Sequence, residues 1–271
     1  MVKKIEALYN ALLPFKVVTF DDIVQQSLTI IEGSANRRYV YRKYVKRLVE
    51  TGKLQPVRKG LYTVLSPLEK KEEYEPDKLL LASKIRREYY LGFHTALEYY
   101  GCAYSAFNEA YVCVQPKNRF DTFSYKRFNF KPVFVKDTTS QVIEKTYQNN
   151  TLKVSSKERT FIECVDRPQY AGGWEECVKS LENLSGINIQ QLINLTLKQG
   201  RKGLQSRIGY VLELLKNRSP FYEHINDSTI SELKTGIKGQ PQYLVRGKKS
   251  SLNRQWNLYI PDDIEEELKV I

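Results

Sequence analysis

The stretch that most constrains this chain is Asn36–Gly60, NRRYVYRKYVKRLVETGKLQPVRKG. At about 100° per residue, Tyr41, Tyr44, Val45, Leu48 and Val49 fall on one arc of a helix. Tyr39, Arg42, Lys43, Lys46 and Arg47 fall on the opposite arc. The spacing therefore predicts a helix with one apolar face for a small core and one cationic face for something else. Asn36 is placed to cap its amino end. Thr51-Gly52 is placed to close it, since glycine adopts the left-handed conformation that ends many helices. Leu54–Val57 and Leu61–Leu65 then read as two short strands around a basic tip, Arg58-Lys59-Gly60.

What precedes this stretch sharpens the expectation. Lys3–Leu13 carries Ile5, Leu8, Leu12 and Leu13 at helical spacing. Val17-Val18-Thr19 is a brief extended segment. Thr19 caps a helix over Phe20–Leu28, with Asp21 and Asp22 in the first turn, where carboxylates suit the helix dipole. Ile23, Val24 and Leu28 are its apolar side, and Thr29–Ala35 with Gly33 forms the turn into the basic helix. Three helices followed by a hairpin make a winged helix-turn-helix. In such a module the third helix enters the major groove with its amino-terminal half at base edges. Arg37, Arg38, Tyr39, Arg42 and Lys43 are then the base-facing candidates, and Lys46 and Arg47 the phosphate-facing ones. Arg58 and Lys59 would meet the backbone or the minor groove. The competing readings are a merely solvated charged face, or a winged helix used for protein contact alone.

The rest of the chain sets the limits. Its 271 residues carry a formal net charge of +12, which favours a polyanionic partner. No apolar run reaches transmembrane length, and Ile5–Leu13 is too broken for a signal peptide, so a cytoplasmic protein without membrane contact is expected. The four cysteines (Cys102, Cys113, Cys164, Cys177) contain no Cys-x-x-Cys pair, and His94 and His224 are the only imidazoles. Packed, reduced thiols are expected, with no metal site, no cofactor and no catalytic residue. His94 reads as a packed or capping side chain.

The expected fold class is α+β, in three parts. Residues 1–66 form the winged helix, 67–77 a polar linker bracketed by Pro67 and Pro76, and 78–271 a larger mixed α/β domain. Within the last, helices are expected over Lys78–Glu88 (with Pro76 in its first turn) and Thr95–Tyr100. Strands are expected over Glu109–Gln115, Phe120–Phe128, Lys131–Lys136, Val142–Tyr147 and Thr151–Val154. The interleaved cations and aromatics of Lys117–Lys131 suit a half-buried basic strand better than a base-stacking platform. Helices follow after Ser155-Ser156, after Gly172-Gly173, over Ile189–Gln199 and over Leu204–Asn217. Tyr243–Val245 and Trp256–Ile260 suggest a terminal hairpin around Arg246–Lys249, and Asp262–Glu267 a last short helix. Arg201, Lys202 and Arg207 make a second basic cluster.

Three segments carry a family resemblance: Arg58-Lys59-Gly60-Leu61-Tyr62, then Leu91–Gly101 (LGFHTALEYYG), then Glu158–Pro168 (ERTFIECVDRP) with Gly172-Gly173. In order and spacing the chain resembles the AbiEi-type antitoxins, transcriptional regulators of AbiE (type IV) toxin–antitoxin systems. The resemblance implies repression of the chain's own operon through the winged helix, on double-stranded DNA with repeated half-sites. It also implies neutralisation of a nucleotidyltransferase-type toxin through the second domain, with Arg201, Lys202 and Arg207 as candidate positions. Arg159, Asp166 and Arg167 read as architectural. Two alternatives stand beside it. One is a winged-helix regulator without an antitoxin role. The other is a metal-dependent nuclease drawing on Asp137, Glu144, Glu163 and Asp166, whose spacing lacks the Asp…Glu-x-Lys pattern of restriction-type nucleases.

Overall fold

The computed structural model describes residues 2–30, 36–264 and 268. Helix α1 (Val2–Leu12) presents Ile5, Leu8 and Leu12 to a core at four- and three-residue spacing. Strand β1 (Val17–Thr19) follows, and Thr19 then caps α2 (Phe20–Leu28). That cap is reciprocal. The Thr19 hydroxyl accepts from the Asp22 N–H (3.1 Å), and the Asp22 carboxylate accepts from the Thr19 N–H (2.8 Å). Ile23 is fully buried, whereas Leu28, expected on the apolar side, is 49% exposed. Most of the expected turn at Thr29–Ala35, Gly33 included, lies outside the described residues.

The basic helix begins as α3 (Arg37–Val40), loosens into a π turn at Tyr41–Val45 and continues as α4 (Lys46–Glu50). The Asn36 side chain caps it by accepting from the Arg38 N–H at 2.9 Å. At the far end the Gly52 N–H reaches the Val49 carbonyl and the Lys53 N–H reaches the Leu48 carbonyl, with Gly52 at φ +72. That pair of bonds is a Schellman closure, and it needs the left-handed residue that glycine supplies. Strands β2 (Leu54–Arg58) and β3 (Leu61–Val64) form the wing, with Lys59-Gly60 at its tip. The sheet order is β1-β3-β2, all antiparallel. Pro56 therefore sits on an edge strand, where its missing N–H costs no ladder bond. This order of helices and strands is that of a winged helix-turn-helix, as expected. Its core joins Leu8, Leu12, Val18, Ile23, Leu48 and Leu54, all 1% exposed or less.

The apolar arc of the basic helix differs from expectation at one residue. Val40, Tyr44, Val45 and Leu48 are buried, but Tyr41 is 49% exposed, its ring edge-on to Phe20 at 6.0 Å. The π turn is the reason. Its wider turn shifts the phase of the side chains, so a strict 3.6-residue count places Tyr41 on the wrong face.

Beyond the wing, α5 (Lys78–Ser83) is capped by Asp77, whose side chain accepts from the Leu80 N–H at 3.0 Å. Pro76 thus precedes the cap instead of opening the helix. The helix also ends five residues before the expected Glu88. Past Ser83 the Arg86 guanidinium donates to the Asn118 and Arg119 carbonyls (2.9 and 2.7 Å), holding the chain on a non-helical path. Then come β4 (Tyr90–Leu91), α6 (Phe93–Tyr99), β5 (Glu109–Val114), β6 (Phe123–Tyr125), β7 (Phe128–Phe134), β8 (Val142–Tyr147) and β9 (Asn150–Ser155). Their strands form one sheet in the order β6-β7-β5-β4-β9-β8, with β5 and β7 parallel. The expected strand Phe120–Phe128 is shorter, because it breaks into β6 and a turn at Lys126-Arg127, with Lys126 at φ +54. Helix α6 starts earlier than expected, so His94 lies inside its first turn.

Helices α7 (Lys157–Asp166), α8 (Trp174–Glu182), α9 (Ile189–Lys198), α10 (Lys202–Lys216) and α11 (Asp227–Ser231) complete the helical part. Ser156 caps α7, as its sequence position suggested. Gly172 and Gly173 take φ +85 and +94 to enter α8. A Cβ on Gly172 would come within 2.6 Å of both Phe107 and Glu176, so this close turn admits glycine alone. The chain ends in β10 (Gln242–Tyr243), β11 (Ser250–Asn253) and β12 (Leu258–Pro261), ordered β10-β12-β11. This corrects the expected terminal hairpin. The antiparallel pair is β11 with β12, and β10 runs parallel to β12. The expected last helix at Asp262–Glu267 lies largely outside the described residues.

By internal contacts the chain forms two units. The first is Met1–Leu91, Asn108–Thr138 and Glu144–Lys153, and the second is Gly92–Phe107, Thr139–Ile143 and Val154–Ile271. Residues 67–77 lie within the first unit. The core of the second gathers Phe161, Ile208, Leu212, Tyr222 and Trp256. All four cysteines are buried and outside any disulfide, and burial pushes the Cys102 pKa up to about 11. No helix among the described residues is long and apolar enough to cross a membrane.

Candidate nucleic-acid interface

The cationic face of the basic helix is assembled by its caps. Asn36 fixes the entry, the Schellman closure fixes the exit, and the buried Val40, Tyr44, Val45 and Leu48 fix the rotation. What remains outside is Arg38, Tyr39, Arg42, Lys43, Lys46 and Arg47, all exposed. Among the described residues, Arg38, Arg42, Lys43 and Arg47 have no hydrogen bond or ion pair from their side chains. Lys46 has only a 3.9 Å contact with Glu50, one turn on. At such exposure that pair contributes little and leaves the ammonium available. Tyr39 is 45% exposed, with its ring edge toward Tyr44.

Arg37 and the wing tip are arranged differently. Arg37 is bound to Asp21 at 2.6 Å and lies 4.9 Å from the centre of the Phe20 ring. The same Asp21 carboxylate takes Arg87 at 2.6 Å. The Arg37 hydrogen bond is the main reason that the Asp21 pKa falls below its ordinary value. Lys59 is exposed at the wing tip. Arg58 is half-buried over Phe123, 4.5 Å from its ring centre, with Nη1 buried and unsatisfied. A groove of about 870 Å³ runs between helix and wing, lined by Phe20, Arg37, Tyr41, Val49, Pro56 and Tyr62. The structure thus brings Arg38, Arg42, Lys43, Lys46 and Arg47 to one exposed face and gives Arg37 and Arg58 internal partners. Asp21 and Phe123 are the residues that sequence reasoning missed here. Only their distance in sequence from Arg37 and Arg58 hid them.

The second basic cluster is largely engaged within its own unit. Arg201 forms a bidentate pair with Asp166, both bonds at 2.7 Å. That carboxylate raises the Arg201 pKa above its ordinary value, while burial lowers that of Arg207. Arg207 reaches the Asp166 and Tyr243 carbonyls at 3.4 Å, and Lys202 the Lys238 carbonyl at 3.5 Å. Arg159 pairs with Glu163 at 2.8 Å along α7. His94 is fully buried, stacked on Phe107 at 3.8 Å and 3.1 Å from a Glu176 oxygen. That carboxylate also accepts from the Ser105 N–H and the Ser180 hydroxyl, so the imidazole belongs to a packed network. Glu144 pairs with Lys153. Among the described residues, no group of three or more His, Cys, Asp or Glu side chains could hold a metal ion.

No protein-family model matches the chain, and no curated protein matches it in sequence. Among solved structures it is similar to the crystal structure of the RV2827C protein from Mycobacterium tuberculosis, with a TM-score of 0.62 and 15% identity. The likeness covers 95% of this chain and 91% of that one. At that identity it is a likeness of fold, extending over both units.

Proposed function

We propose that this chain is a sequence-specific DNA-binding repressor of its own operon, of the AbiEi antitoxin type, acting in the cytoplasm. One observation carries the reading: Arg38, Arg42, Lys43 and Arg47 stand exposed on the third helix of a winged helix, without ion pairs among the described residues. Four cations left unpaired on a doubly capped helix suit a ladder of phosphates and base edges. Phosphate contacts from Lys46, Arg47 and Lys59 would set the register, and Arg38, Tyr39, Arg42 and Lys43 would read bases. Arg37 would join them by exchanging Asp21 for the nucleic acid. Modules of this kind commonly bind repeated half-sites, so two copies on one operator are expected.

The antitoxin part rests on the sequence resemblance. Its three segments fall on the wing (Arg58–Tyr62), on β4 with α6 (Leu91–Gly101) and on α7 with its exit (Glu158–Pro168). Neutralisation of a nucleotidyltransferase-type toxin is proposed on that ground. A narrower reading, a regulator without antitoxin role, draws support from Arg201, which is paired bidentately with Asp166.

Fluorescence anisotropy of the purified protein on its own upstream DNA and on a scrambled duplex, at several salt concentrations, tests the repressor. Tight preference for the native sequence is expected, and sequence-indifferent binding overturns it. Co-expression with the product of the neighbouring gene tests the antitoxin role. Restored growth is expected, and unrelieved toxicity leaves the narrower reading.

A further inference from the structure

The second unit contains a cleft of about 550 Å³ that the DNA reading does not use. Its walls come from the entry to α8 (Gly172, Gly173, Trp174), from Arg207 on α10, and from the segment Tyr243–Lys248 around β10. That volume suits a small molecule.

The charges around the cleft do not cancel. Its carboxylates already have partners: Asp166 is held bidentately by Arg201, and Glu175 takes Lys179 at 2.8 Å. Lys248 pairs with Asp263 at 3.3 Å. Two guanidiniums are left over. Arg246 is exposed and has no ion pair among the described residues. Arg207 is half-buried, its two carbonyl contacts are long at 3.4 Å, and its Nε is buried with no partner. Burial is the main cost to the Arg207 charge; Asp166 offsets part of it, and Arg201 and Arg246 add repulsion. A half-buried guanidinium with an unsatisfied donor and an exposed one nearby are both stabilised by an anion between them. A phosphate, with several acceptor oxygens and up to two negative charges, can accept from both forks at once. The cleft is also lined by Trp174 and by Tyr243, a residue 43% exposed whose ring stacks on Tyr259 at 4.7 Å. Such faces accept a planar heterocycle.

We infer that this cleft binds a nucleoside phosphate, with Arg207 and Arg246 on the phosphate and Trp174 and Tyr243 beside the base. The inference is independent of DNA binding by the winged helix, and failure of one leaves the other standing.

Calorimetric titration of the full chain with AMP, adenosine and inorganic phosphate tests it. AMP is expected to bind saturably at one site per chain, adenosine at least about tenfold more weakly, and inorganic phosphate to compete with AMP. Arg246→Ala, at an exposed and unpaired position, is expected to leave the thermal midpoint unchanged and to weaken AMP about tenfold or more. Arg42→Ala is expected to keep AMP affinity, which separates the cleft from the basic helix. No saturable binding of AMP, GMP, CMP or UMP overturns the proposal. So does AMP affinity that survives Arg246→Ala, or that is lost in Arg42→Ala.

Discussion

Arg42 protrudes from the exposed face of the basic helix and touches nothing that holds the fold together, so its removal separates binding from stability. Arg42→Ala is expected to weaken operator binding by about 1–3 kcal/mol while changing stability by no more than about 0.5 kcal/mol. Anisotropy and urea melts on the same preparation check this, and unchanged operator affinity would reassign the DNA-facing side. Asp21 carries the opposite kind of role. Its pKa is lowered, first by the Arg37 hydrogen bond. A carboxylate held low stabilises the fold above its unfolded pKa, near 4, and loses that contribution as pH falls through the lower folded value. Wild type should therefore exceed Asp21→Asn in stability near neutrality and converge with it below about pH 4. The gap should stay within about 1 kcal/mol, since the group is 42% exposed. Arg42 was legible in the sequence because it depends on helical phase alone. The Asp21 bridge was not, because Arg37 and Arg87 reach it from distant parts of the chain.

Elements show the same division between local and distant causes. The caps at Thr19, Asn36, Gly52 and Ser156 were readable from single residues, because each bonds backbone groups within a turn. The early end of α5 was not readable, since carbonyls at Asn118 and Arg119 draw Arg86 away. Nor was the pairing of the last strands, where β12 sits between β10 and β11. Gly209 is the sharpest case. It sits within α10, where alanine would normally gain about 1 kcal/mol from helix propensity. Yet a Cβ there would come within 2.0 Å of the Trp256 ring, which is fully buried and held by Glu213 at 2.7 Å. The ring has no room to yield, so overpacking of about 1–3 kcal/mol should outweigh the propensity gain. Gly209→Ala is expected to lower the urea midpoint and shift tryptophan emission to the red. A more stable variant would show that the ring relocates freely.

At the scale of the molecule, charge is the property that composition reports and the fold distributes. The +12 net charge predicts a polyanionic partner without saying where it binds. Ion pairing leaves that net charge unchanged but decides which cations are in surplus: Arg37, Lys84, Arg87, Arg201 and Arg218 all face carboxylates. Among the described cations without an ion pair, Arg38, Arg42, Lys43, Arg47 and Lys59 share the winged helix. Each phosphate that a cation neutralises releases counterions, so the phosphate-facing positions set the expected salt dependence. With Lys46, Arg47 and Lys59 on phosphate, the slope of log K against log salt should be about −2.7 per bound protomer, and steeper by about one for each base-facing cation that meets phosphate instead. Lys59→Ala should reduce the slope by about one without changing the preferred sequence, because a wing-tip ammonium meets backbone. A slope near −10 per bound protomer would instead require a second basic surface on the same DNA. The whole-chain charge would then bind as a diffuse field, and the selective pairing of Arg37 and Arg58 would lose its meaning for recognition.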